Sequence, residues 1–128
     1  MASFDKAFDL IIFHEGGYVN DKDDAGGETY MGISRRAHPN ALIWDIIDKV
    51  TKKTKVVKEI NKELRKNNEL TLLIKAIYKS DYWMPLSLNK EKSQRVANQI
   101  FDNAVNRGVS ATKKLIERVR NEMEMFKK

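Results

Sequence analysis

Glu15 stands where a helical apolar pattern meets two glycines, in the run His14-Glu15-Gly16-Gly17-Tyr18. Asp21, Asp23 and Asp24 follow within nine residues, and Thr29 comes shortly after them. Carboxylates gathered in this way suit general acid–base chemistry on a glycosidic bond, in which one carboxyl donates a proton to the leaving oxygen and a second group faces it. The donor must hold its proton near neutral pH, and partial burial favours that neutral form. Positions 4, 8, 11 and 15 fall on one helical stripe, so Glu15 prolongs the face that Phe4, Phe8 and Ile11 turn toward a core. The glycines that follow carry no side chains and leave room for a bulky polymer. Paired carboxylates lie ~5–5.5 Å apart in retaining enzymes and ~6.5–9.5 Å apart in inverting ones. The residues alone leave Asp21, Asp23 and Asp24 open as the second group, with Thr29 able to orient a water through its hydroxyl.

A calcium loop explains the same aspartates less well. An EF-hand starting at Asp21 would find Ala25 at its fifth ligand position and Gly32 at its twelfth. His14 lies on a different side of the helix from Glu15, and His38 precedes Pro39 in a turn; neither has metal-ligand spacing. No cofactor or metal is expected. Tyr18 and Tyr30 flank the acidic loop and are candidates for substrate contact through their ring faces. Trp83 is a further candidate, balanced against core packing. Asn103 has no evident structural role on its helix and is a fourth, whereas Asn106 reads as a helix cap.

The elements that would position these groups are mostly helices. Ser3 is a suitable N-cap for a first helix through Phe4, Phe8, Ile11 and Ile12, which Gly16-Gly17 would end. Helical period disappears over residues 18–34, where a small hairpin over Glu28 to Ile33 fits the glycines. A second helix is predicted from Pro39-Asn40 through Val50, with Ile43, Trp44 and Ile47 on one side. Thr51 to Lys66 reads as one amphipathic helix, with Val57, Ile60 and Leu64 inward and seven Lys/Arg among its sixteen residues. Glu69 to Tyr82, Lys90 to Val105 and Ser110 to Phe126 complete the pattern, with Pro85 and Asn106-Arg107-Gly108 as breaks. The expected fold class is mainly α, a lysozyme-like α+β domain with a small hairpin or glycine-rich loop near residues 18–34.

Composition narrows the class. A chain of 128 residues suits one domain. The absence of cysteine excludes disulfides and thiolate zinc sites. No stretch is apolar enough to span a bilayer. Asp5, Lys6 and Asp9 interrupt the N-terminal apolar residues, so no secretory signal is expected there, and export would need another route. The net charge of +6 divides into −5 over residues 1–34 and +11 over the remainder. A basic body favours a polyanionic partner, such as an anionic wall polymer. The basic segment 51–66 lacks the interleaved aromatics or binding motif that nucleic acid would call for.

The run Glu15-Gly16-Gly17-Tyr18-Val19-Asn20-Asp21, then Asp24, Gly26-Gly27, Thr29 and Gly32-Ile33, resembles the signature of glycoside hydrolase family 108. Collinear matches follow at Lys75-Ala76-Ile77-Tyr78 with Asp81-Tyr82-Trp83, and at Phe101-Asp102-Asn103-Ala104-Val105-Asn106-Arg107-Gly108. The family comprises bacterial and phage muramidases, some called secretion activator proteins, within the lysozyme-like superfamily. The resemblance implies that Glu15 is the catalytic acid and that peptidoglycan glycan strands are the substrate. By analogy with phage lysozymes it favours Asp24 and Thr29 as partners of Glu15, Thr29 arriving one residue earlier than in that pattern. Two departures stand out. Only twenty residues follow Gly108, so 86–128 resembles just the start of a C-terminal peptidoglycan-binding region, and the basic stretch 51–66 is longer than the usual connection.

The leading expectation is therefore a monomeric muramidase that acts in the periplasm or cell wall. A non-catalytic wall-binding or secretion-accessory protein is the alternative, distinguished by pelleting with peptidoglycan without releasing reducing sugar. A nucleic-acid-binding domain is a third reading, which steeply salt-sensitive DNA binding would support.

Overall fold

The structure is a computed structural model that describes residues 1–128 except 13–15, 21–22, 24–26 and 128, together with the side chain of 127. The described residues form six α-helices and a three-stranded antiparallel sheet, so the fold is mainly α with a small β element. The chain packs as two compact units, one of Met1–Ile11 with Ile77–Lys128 and one of Ile12–Ala76.

The first unit gathers around aromatic rings. Helix α1 (Phe4–Ile12) buries Phe4, Ala7, Phe8 and Ile11, the stripe expected from spacing. Ser3 caps it, its hydroxyl accepting the Lys6 amide at 3.4 Å. Gln94 grips the same residue, accepting from the Ser3 amide at 2.6 Å and donating to its carbonyl at 3.0 Å. Helix α5 (Gln94–Arg107) starts at the Ser93 cap and ends at Gly108, whose φ of 91° few other residues tolerate. Helix α6 (Val109–Lys127) follows directly. Phe101 sits among Phe4, Tyr78 and Trp83 with ring centroids 5.8, 6.2 and 5.5 Å away, each pair edge-on. Edge-to-face contact suits the ring quadrupoles and adds to the area buried. Beyond Tyr78 the helical path widens into one π turn (Lys79–Trp83) and then two short 3-10 turns, Met84–Leu86 and Leu88–Lys90. Pro85 falls within the first of these, consistent with its expected role as a helix stop.

The second unit holds the sheet. Strands β1 (Val19–Asn20), β2 (Glu28–Tyr30) and β3 (Ile33–Ser34) form a meander in sequence order. β2 and β3 make the expected hairpin, closed by Met31 and Gly32 with φ of 48° and 81°. Two consecutive positive φ values are what a type I′ turn requires, and a methionine at the first is unusual. β1 was not legible as a strand; two residues carry no period, and only pairing with β2 defines it.

Helix α2 (Ile43–Lys53) begins a few residues later than expected, because Pro39 and Asn40 lie in a turn before it. The larger difference is in the basic segment. Instead of one helix over 51–66, α2 ends at Lys53 and α3 (Val57–Lys66) starts afresh. Thr54 is extended, with φ −147° and ψ 148°. Its hydroxyl accepts the Val56 amide at 3.1 Å and donates to Glu59 at 2.9 Å. Threonine competes with helix in this way through its own hydrogen bonds. Ile60 and Leu64 are buried as expected, but Val57, the first residue of α3, is 53% exposed. Helix α4 (Asn68–Tyr78) completes the set, burying Leu70 and Ile74.

Phe101 is fully buried in the ring cluster. Phe101→Ala is expected to cost about 3–5 kcal/mol of unfolding free energy, read from urea titration followed by circular dichroism.

Candidate active site

Glu15 and Asp24, with Asp21 and His14, lie outside the described residues. What the structure describes is the frame on either side of them. Gly17 leads out of the Glu15 segment and passes close to α3. A Cβ at Gly17 would stand 2.4 Å from Oδ1 of Asn61, so only glycine fits without moving that side chain. The same Oδ1 accepts the Tyr18 amide at 2.8 Å. Asn61 therefore fixes the backbone two to three residues after Glu15, a role no sequence signal disclosed on a lysine-rich helix.

Thr29 occupies the centre of β2, half-buried, opposite Val19 on one side and Ser34 on the other. Side chains alternate across a strand, so these three share one face of the sheet. Tyr18, Asn20, Glu28, Tyr30, Ile33 and Arg35 belong to the other. The two faces thus separate the candidate catalytic hydroxyl from a dense polar cluster.

Glu28 organises that cluster. One carboxylate oxygen accepts the Tyr18 hydroxyl at 2.5 Å. The other lies 2.7 Å from Nε of Arg35, a charge contact in which the N–H is not aligned with the oxygen. The Arg35 guanidinium also donates to Asp48 of α2 and lies over the Trp44 ring, 4.7 Å from its centroid. Trp44 in turn donates from its indole to the His38 carbonyl at 2.7 Å. Guanidinium suits this position because its planar fork serves two carboxylates and still stacks on an aromatic face. With both oxygens engaged, Glu28 serves as an anchor. Burial and the Glu28 carboxylate push the Tyr18 hydroxyl up to about 12.

A cavity of about 300 Å³ opens on this face. The strand side supplies Tyr18, Asn20 and Glu28, and the helix side supplies Thr51, Lys55, Val57 and Ile60. Lys55 reaches it because it lies in the break between α2 and α3.

The expected substrate-contact residues fare differently. Tyr18 is 7% exposed and lines the cavity, with its hydroxyl committed to Glu28. Tyr30 is 1% exposed, and burial raises its pKa despite the opposing charge of Arg65, so its ring belongs to the packing of the unit. Trp83, also 1% exposed, lies against Phe4 and Phe101, so the core reading of that residue is the one its surroundings support. Both rings are closed off because their neighbours cover the faces that a sugar would need. Asn103 has a structural partner after all, accepting the hydroxyl of buried Thr112 at 2.9 Å where α5 and α6 meet. Asn106 donates to the Asp102 carbonyl at 2.8 Å near the end of α5. Among the described residues, no three His, Cys, Asp or Glu side chains cluster to hold a metal ion. No helix there is long and apolar enough to cross a membrane.

Two outcomes follow from this frame. Asn61→Ala, which strands the Tyr18 amide, is expected to cost about 1–3 kcal/mol in a denaturant titration, and Gly17→Ala should destabilise through the same contact. The raised Tyr18 hydroxyl favours the folded state fully below its ordinary value near 10. That contribution is lost as pH rises toward about 12, because the unfolded chain ionises first. Thermal unfolding across this range should show a weaker pH dependence in Tyr18→Phe than in the wild type.

Comparison with known proteins bears on these residues as a set. No curated protein and no solved structure matches the chain. The family model described as glycosyl hydrolase 108 matches residues 8–108, a span that contains the Glu15 segment, the whole sheet and the Asn-Arg-Gly turn. The chain belongs to the glycosyl hydrolase 108 family, and a glycan is the substrate class that this membership implies.

Proposed function

We propose that the protein is a muramidase that cleaves the β-1,4 bond between N-acetylmuramic acid and N-acetylglucosamine in bacterial peptidoglycan, with Glu15 as general acid. The observation that carries this reading is the family match across residues 8–108, which takes in the Glu15-to-Ile33 motif in unbroken order. Burial of Phe4, Phe8 and Ile11 on α1 supports it, since in the sequence Glu15 follows at the same helical spacing. Partial burial of that carboxyl belongs to the proposal, since desolvation would help it keep its proton. Thr29 is the proposed water-orienting group and Asp24 the proposed second carboxylate. The chemistry is proton donation to the departing sugar oxygen, with water entering at the anomeric carbon. The substrate lies outside the cytoplasm, so the proposed place of action is the periplasm or wall.

The test is release of reducing sugar from purified peptidoglycan. Glu15→Gln is expected to lose at least about 100-fold in rate, the usual contribution of a general acid, with an unchanged circular dichroism spectrum. Full activity in that folded variant would overturn the assignment. Thr29→Val should lower the rate while leaving substrate pelleting intact. Mass spectrometry of the released fragments identifies the bond cut.

A further inference from the structure

We propose that the cavity beside Lys55 is a binding site for the carboxylate end of a short amide-linked peptide. Its volume of about 300 Å³ is at the lower limit of small-ligand cavities, enough for one or two small residues and too little for a polymer strand.

Charge sets the polarity of the ligand. Glu28 is matched by Arg35, and Arg35 also reaches Asp48. Lys55 forms no ion pair with a described carboxylate, so its ammonium is the unmatched charge at this cavity among the described residues. A single carboxylate would satisfy it. The opposite side supplies an acceptor, the Asn20 amide oxygen, which suits an N–H donor close to that carboxylate. An acylated amino acid presents these two groups side by side, whereas a phosphate brings charge without the N–H. Val57 and Ile60 add apolar contact for a small side chain.

The site is on the sheet face opposite Thr29, so it acts as a holding point separate from the proposed acid–base groups. Its natural ligand rests on the reading above: if the glycan is peptidoglycan, its peptide branches supply such ends. The binding chemistry itself is independent of that reading.

The full-length chain is titrated with N-acetyl-D-alanyl-D-alanine and with the C-terminal amide of the same dipeptide, following backbone amide resonances. The expected result is saturable shifts at Tyr18, Asn20, Thr51 and Lys55 with the acid. Binding should weaken at least about tenfold with the amide or in Lys55→Gln, the scale of one charge-assisted hydrogen bond, and be retained in Lys55→Arg. Equal binding of acid and amide, absence of saturable shifts at these residues, or displacement by equimolar inorganic phosphate would each overturn the proposal. Lys55 is exposed, so its replacement leaves folding intact. Reducing-sugar release is measured on the same preparations. Its absence in the wild type would remove the muramidase reading and leave the peptide site to be judged on the titration alone.

Discussion

The Arg35 guanidinium, held between Glu28 and Asp48 and laid over Trp44, is the contact on which the order of the second unit depends. A three-stranded sheet of seven residues has too little apolar surface to be stable alone. Arg35 connects it to α2 through Asp48, and Glu28 extends that connection to Tyr18 at the edge of β1. The Glu28 carboxylate is partly buried, which limits solvent screening of its pair with Arg35, whereas the Asp48 side is more open to water. Thr29 takes its orientation from this arrangement, because anchoring Glu28 on one face of β2 fixes which way the next side chain turns.

Asn61 provides the second constraint. It approaches Gly17 so closely that a side chain there would collide, and it holds the Tyr18 amide. The paired glycines of the motif thus have a physical explanation at Gly17 that concerns packing against α3. Gly16 has open space around its Cβ position, which leaves room on that side of the chain. The two glycines do different work despite being adjacent.

The break at Thr54 links local chain chemistry to the surface the protein offers. A continuous helix over 51–66 would carry Lys55 in regular phase along a solvated basic face. The threonine hydroxyl instead engages Val56 and Glu59, stopping α2 and starting α3. Lys55 is released from helical register and reaches the cavity beside the sheet. A basic segment that composition describes only as charged thereby acquires one lysine with a defined setting.

By itself the sequence determined the helical class, the buried stripe of α1, the Ser3 cap, a hairpin over Glu28 to Ile33 and the family. Each is encoded locally, in apolar spacing, capping residues or a collinear motif. It also singled out Glu15 and its acidic neighbours as a place for proton chemistry. The tertiary structure decided what depends on partners distant in the chain. Tyr30 and Trp83 became packing residues because neighbours enclosed their rings, and Asn103 acquired Thr112. Strand β1 exists only through β2, and the importance of Glu28, Asn61 and Lys55 comes from groups brought beside them. Periodicity reports which face of an element is apolar, but it cannot say which polar side chain meets which across the fold. That choice is made when the elements pack.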